Sequence, residues 1–188
     1  MITHEIILAS KSPRRKELLE SLDFAFTVEI REVEEIFPND LPTKDIAAHL
    51  AQIKADAFSD EIPPNTIVIT ADTIVIMNNQ ILGKPQDVAE AADMLRKLSG
   101  NEHDVITGVV LKSNEKTKSF SVSTKICFKE LSDEQIQYYV NKYQPLDKAG
   151  AYGIQEWIGH VGIEHIEGSY TNVVGLPLVE VYEALVKF

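Results

Sequence analysis

The chain has a single cysteine in 188 residues, Cys127, so it can form no internal disulfide. A reducing, cytoplasmic setting is the expectation. That thiol lies in Lys125-Ile126-Cys127-Phe128, an apparent strand, and reads as a packed side chain rather than a nucleophile. No apolar run approaches the roughly 20 residues of a membrane helix, and the N-terminus carries no signal-peptide pattern. Positive charge is scarce as well: 18 Lys and Arg against 29 Asp and Glu give a net charge of −11. This argues against nucleic-acid binding, which needs a broad basic face. A local cation cluster can still govern its own pocket. His4, His49, His103, His160 and His165 show no H-E-x-x-H spacing, which with one cysteine argues against a zinc hydrolase. Repeats, low-complexity tracts and long linkers are missing too. The composition, 44% apolar and 25% charged, is that of an ordinary globular protein. Its length suits one domain over residues 1–188, or two small lobes.

What is present reads as alternating strands and helices. An apolar run from Ile6 ends at Leu8-Ala9. Ser12 then suits an N-cap and Pro13 a first helical position, with Leu18, Leu19 and Leu22 following at helical spacing. Residues 24–30 read as extended. Residues 43–58 read as a helix with Ile46, Ala47, Leu50, Ile53 and Ala57 inward. Ile67-Val68-Ile69 reads as a buried strand leading through Thr70-Ala71-Asp72-Thr73 to Ile76. Asn78-Asn79 predicts a two-residue hairpin turn, because Asn tolerates positive φ. That turn pairs Met77 with Gln80 and, continued in register, sets Thr73 opposite Lys84 and Asp72 opposite Pro85.

Asp87 with Glu90 predicts a capping box opening a helix that ends at Ser99-Gly100. His103 to Lys112 and Ser119 to Phe128 form a second hairpin. Ser132 with Gln135 opens another helix, which stops before Pro145. Pro177 starts a terminal helix with Leu178, Val181, Tyr182 and Leu185 inward. The expected class is α/β, with a mixed twisted sheet and antiparallel hairpins flanked by helices.

Ser10-Lys11-Ser12-Pro13-Arg14-Arg15-Lys16 stands out in this acidic chain. Helix N-termini favour Asp or Glu in the first turn, because their free N–H groups and dipole are positive. Here the first turn is basic, which suits an anion bound at the turn. Four further clusters carry chemistry: Glu34-Glu35, Lys54, Asp72-Thr73 with Gly83-Lys84-Pro85, and Asp147-Lys148-Ala149-Gly150-Ala151-Tyr152-Gly153-Ile154-Gln155. Asp72 interrupts a strongly apolar stretch, and a carboxylate buried there needs partners.

Taken in order, these residues resemble the Maf family of nucleotide pyrophosphatases. The likeness rests on residues 8–19, Glu35, Lys54, Ala71-Asp72-Thr73, Gly83-Lys84-Pro85, Met94-Leu95, Leu98-Ser99-Gly100, residues 147–155 and Val174-Gly175-Leu176-Pro177. It implies an inosine-triphosphatase-like fold with a ligand cleft between two lobes, a homodimer, and an enzyme that cuts nucleoside triphosphates to the monophosphate and pyrophosphate. The implied catalytic residues are Asp72, Glu35, Lys54 and Lys84, with Asp72 the general base. Ser10, Arg14, Arg15, Thr73, Lys148 and Gln155 are the implied substrate-binding set. Glu35 and Asp72 would hold a divalent cation such as Mg²⁺ or Mn²⁺.

In the branch acting on thymine and uracil triphosphates, the pattern has Arg, Thr and Gln where this chain has Arg14, Thr73 and Gln155. The branch resembling 7-methyl-GTP pyrophosphatases differs at all three. A Gln carboxamide offers a donor and an acceptor to the N3–H and O4 edge of either pyrimidine. The expectation is therefore dTTP and UTP, and Gln155 does not exclude modified pyrimidines. Such activity would limit misincorporation. The family's association with septum formation implies a link to cell-division arrest, and leaves a non-catalytic nucleotide-binding regulator as the alternative, beside a 7-methyl-GTP pyrophosphatase. One departure is Glu156-Trp157, where many members of the branch continue with Gly.

Overall fold

The structure is a computed structural model that describes residues 4–58 and 62–188. In chain order its elements begin with β1 (Glu5–Leu8), α1 (Pro13–Glu20), β2 (Phe26–Val28), a 3₁₀ turn (Thr43–Asp45), α2 (Ile46–Asp56), β3 (Thr66–Met77), β4 (Gln80–Leu82) and α3 (Val88–Leu98). There follow β5 (Glu102–Lys112), β6 (Thr117–Phe128), α4 (Asp133–Tyr143), a second 3₁₀ turn (Ala149–Ala151), α5 (Trp157–Gly162), β7 (Ile163–Glu167), α6 (Tyr170–Val174) and α7 (Leu178–Val186). The strands join one mixed sheet in the order β2-β1-β3-β5-β6-β7, with β4 paired to β3. The α/β expectation holds.

The chain groups into two compact units. One takes the residues up to Thr73 together with Thr107–Val122 and Gly175–Phe188; the other takes Ile74–Ile106 and Ser123–Val174. Neither is a continuous piece of sequence, which is why no linker shows in the composition.

In the first unit, β1 pairs in parallel with both β2 and β3. Side chains alternate along β3, so each face of the strand has its own helix. Ile67, Ile69 and Ala71 join a core with Leu19 of α1 and Val181 and Leu185 of α7. On the opposite face, Val68 packs with Phe58 just beyond α2, and the Thr70 hydroxyl donates to the Ala51 carbonyl of α2 at 2.7 Å. Strand order β2-β1-β3 with α1 and α2 on opposite faces makes a topological switch point at β1 and β3. Open α/β sheets bind ligands just beyond the carboxyl ends of such strands.

Gly108 of β5 sets how closely α2 approaches. A Cβ there would stand 2.2 Å from the Ala48 nitrogen and 2.3 Å from the Ala47 carbonyl carbon. Tyr182 departs from the inward reading: it is 48% exposed and stacks on Phe24 at 5.9 Å. Ala184 takes the buried position on α7. The burying face of this helix is narrower than its apolar composition suggests.

In the second unit, Asn78 and Asn79 adopt φ of 51° and 61°, and Met77 pairs with Gln80 as the turn predicts. The ladder ends at Val75↔Leu82, so strand pairing does not extend to Lys84 or Pro85. Pro85 has no N–H to continue it. The second capping box forms in full, with reciprocal Ser132 and Gln135 bonds. The first forms by half. Asp87 accepts from the Glu90 N–H at 2.8 Å, but the Glu90 carboxylate takes the Gln86 N–H instead of the Asp87 N–H.

His103 is buried in this unit. Its Nε2 bonds the Tyr152 hydroxyl at 2.8 Å, and its ring stacks on Phe128. Burial lowers its pKa to about 4. Between an unfolded value near 6.5 and this folded value, only the unfolded chain takes up the proton, so stability falls as pH drops through that window. By pH ~4.5 the expected loss from this group is about 2 kcal/mol. Urea unfolding of the wild type and His103→Gln at pH 7.5 and 4.5 checks it: the wild type should lose that much more than the variant, and equal losses would contradict the assignment.

Candidate active site

The turn after β1 is built by Ser12, whose hydroxyl accepts the Arg15 N–H and caps α1, with Pro13 in the first turn. Two of its four cations are spent on the surface. Lys11 pairs with Glu32 at 2.7 Å and Lys16 with Glu20 at 3.5 Å, all four side chains being exposed. Arg15 differs. Its Nε donates to the Gly175 carbonyl at 2.7 Å, Nη1 to the Ser10 hydroxyl at 3.4 Å and Nη2 to the Thr73 hydroxyl at 3.0 Å. Every one of these acceptors is neutral. Burial lowers the Arg15 pKa, and the nearby Asp72 and Glu35 charges oppose that shift. A guanidinium held in place without a carboxylate of its own, with two of its five N–H groups uncommitted, is prepared for an anion.

Asp72 and Thr73 extend the two faces of β3. Thr73 lies on the α1 side, where its hydroxyl also bonds the Thr107 hydroxyl at 2.9 Å. Asp72 follows Thr70 on the α2 side and meets Lys54, with Nζ 2.5 Å from Oδ1. Lys54 also reaches Glu35 at 3.0 Å. Lys54 and Asp72 are mostly buried (side chains 17% and 14% exposed), whereas Glu35 is half exposed. One ammonium therefore serves two carboxylates, and the trio carries one surplus negative charge beside Arg15. The first unit thus assembles Ser10, Arg15, Glu35, Lys54, Asp72 and Thr73. Arg14 sits half-buried one residue before Arg15 and adds its charge there.

The second unit holds the other predicted site residues. Lys84 is exposed, and the preceding Gly83 carbonyl accepts the Gly150 N–H at 3.0 Å. Gly150 has φ 70°, and a Cβ on it would come within 3.1 Å of Val75, so glycine is required at this approach. Gln155 is exposed. Lys148 is 11% exposed and tied to two carboxylates, Asp147 at 2.8 Å and Glu156 at 3.1 Å. The sequence reading treats Lys148 as a cation for the substrate; within its unit the ammonium is already neutralised. Trp157 is partly buried, edge-on to Tyr138 at 4.8 Å. Cys127 is half-exposed rather than packed, and its hydrogen bond to Glu102 pushes the thiol pKa up, away from a nucleophilic thiolate.

Thr107 and Tyr139 escaped the sequence reading. Thr107 is a buried hydroxyl inside an apolar strand, the same signal that marked Asp72. Tyr139 looks like a core aromatic of α4, and only its hydroxyl partners distinguish it.

An arginine reserved for an anion, next to two carboxylates that share one lysine at the carboxyl ends of parallel strands, is the layout of a phosphate-handling α/β protein. The chain belongs to the Maf family: the Maf-like protein family matches residues 5–188. It is 51% identical over 178 residues to the dTTP/UTP pyrophosphatase of Flavobacterium psychrophilum, covering 95% of this chain and 91% of that protein. It is 48% identical over 185 residues to the dTTP/UTP pyrophosphatase of Bacteroides thetaiotaomicron, covering 98% and 96%. Among solved structures, the Staphylococcus aureus Ham1 protein shares the fold, with a TM-score of 0.54 at 17% identity over 97% of this chain and 98% of that one.

Proposed function

We propose that this protein is a nucleoside triphosphate pyrophosphatase that hydrolyses dTTP and UTP to the monophosphate and pyrophosphate. The observation that carries the reading is Arg15, bonded to neutral oxygens alone among the described residues, within reach of the charge of Asp72, which Lys54 holds. The names of the Flavobacterium and Bacteroides relatives support the same substrates. Gln155 supports a pyrimidine, because its exposed carboxamide can give one hydrogen bond and take one. Lys84 offers a further exposed ammonium for phosphate.

In the proposed reaction, Asp72 accepts a proton from a water molecule while the water oxygen bonds the α-phosphorus. The bond from that phosphorus to the bridging oxygen breaks, and pyrophosphate leaves with the bonding pair. Lys54 fixes the Asp72 carboxylate. Arg15 turns its two uncommitted N–H groups to phosphate oxygens, where charge grows as the bond breaks.

No group of three or more metal-ligating side chains occurs among the described residues. Glu35 and Asp72 still fit a Mg²⁺-type ion, which binds one or two carboxylates and takes its other ligands from phosphate and water. Such an ion would neutralise phosphate charge when bound. A cytoplasmic setting, which the single cysteine suits, and a homodimer, which the family resemblance implies, belong to the same proposal. Among the described residues no helix is long and apolar enough to cross a membrane.

A pyrophosphate-release panel with Mg²⁺ or Mn²⁺ tests the proposal, covering dTTP, UTP, 5-methyl-UTP, dCTP, GTP and 7-methyl-GTP. The expected order puts the thymine and uracil nucleotides at least tenfold above the rest in kcat/KM. Tight dTTP binding without turnover in any metal would instead favour the non-catalytic regulator, and preference for 7-methyl-GTP would overturn the role of Gln155.

A further inference from the structure

We infer that Glu156 and Tyr139 form a clamp that presents Gln155, making both positioning residues for base selection. The inference rests on the reading of Gln155 as the residue that meets the base. Gln155 occupies a tight turn closed by the Glu156 N–H on the Gly153 carbonyl at 3.0 Å. Both ends of that turn are tied to one phenol. The Tyr139 hydroxyl accepts the Gly153 N–H at 3.0 Å and donates to the Glu156 carboxylate. The other Glu156 oxygen takes the Lys148 ammonium at 3.1 Å.

Tyr139 rises from α4, a regular helix with a complete capping box, so the clamp has a rigid anchor. Burial, and then the Glu156 carboxylate, push the Tyr139 pKa up, which keeps its hydroxyl protonated and able to donate. Gly153 makes room: a Cβ there would lie 2.9 Å from the Glu156 carboxyl carbon and 3.1 Å from Lys148 Cε. Ile154, between the clamped ends, is 5% exposed, so the turn is also sunk by one apolar side chain. Its one outward side chain is Gln155. A carboxamide reads a base edge better when the backbone that carries it stands in a fixed place, and this clamp fixes the backbone on either side of Gln155. The acid at position 156, in place of the glycine many members carry, thus acquires a defined task.

The test compares Tyr139→Phe, Glu156→Ala and Glu156→Gln with the wild type and Gln155→Ala, using kcat and KM for dTTP and dCTP. Tyr139→Phe and Glu156→Ala should each raise KM for dTTP about tenfold and narrow the dTTP-to-dCTP preference by a similar factor, with kcat within about threefold. Glu156→Gln keeps an oxygen for the Tyr139 hydroxyl and should recover most of the loss. The double variant Tyr139→Phe, Glu156→Ala should be little worse than either single one, as coupled partners require. If Gln155→Ala narrows the preference and the clamp variants only lower the melting temperature, the inference falls and the function stands. If Gln155→Ala leaves the preference intact, both the base-reading role and the clamp fall together.

Discussion

Asp72→Asn is expected to lower kcat for pyrophosphate release from dTTP by about a thousandfold, within the range that losing a positioned general base costs. The carboxamide is nearly isosteric and keeps an oxygen for Lys54, whose Nζ lies 2.5 Å from Oδ1 in the native protein. It cannot take a proton from water. Arg15 keeps its Gly175, Ser10 and Thr73 contacts, so nucleotide affinity should change by less than fivefold. Rapid-quench turnover beside equilibrium binding of dTTP separates the two quantities. A variant that binds poorly yet turns over at near-native rate would assign Asp72 to binding and remove it from the chemical step.

Gly108→Ala should be strongly destabilising, at about 3 kcal/mol by the scale of core overpacking. The added Cβ would meet backbone, 2.2 Å from the Ala48 nitrogen and 2.5 Å from the Ala47 oxygen, and backbone cannot swing aside as a side chain tip can. Helix α2 must retreat from the sheet, which pulls the Ala51 carbonyl from the Thr70 hydroxyl. Lys54, on the same helix, moves away from Asp72 with it. Denaturant unfolding should therefore show the loss of stability, and the fraction that still folds should show reduced kcat. A change below 1 kcal/mol would mean that the helix accommodates the methyl, and that close packing at Gly108 does not set the position of Lys54.

Local chemistry made much of this legible from sequence. Asn78-Asn79, Ser132 with Gln135, and Ser12-Pro13 each act within a few residues, and each forms its element. Asp72 was conspicuous because a carboxylate inside an apolar strand needs a partner, which it finds in Lys54. Partners far apart in sequence were not legible. Arg15 meets the Gly175 carbonyl across 160 positions, and a backbone acceptor leaves no mark in composition. The Lys148–Glu156 pair joins two residues that motif matching treats separately, one as a cation for substrate and the other as a departure. Glu90 and Tyr182 show the limit at short range. Helical spacing gives a side chain its direction, but the neighbour it meets decides between Gln86 and Asp87 for one, and between core and a stacked surface ring for the other.

Water attack on the α-phosphorus is the step on which the proposed residue roles depend. The most direct measurement is dTTP hydrolysis by the wild-type protein with Mg²⁺ in ¹⁸O-labelled water, followed by mass spectrometry of the products. Attack at the α-phosphorus yields dTMP carrying one ¹⁸O and pyrophosphate carrying none. Label in the pyrophosphate, or dTDP with labelled orthophosphate, would contradict it.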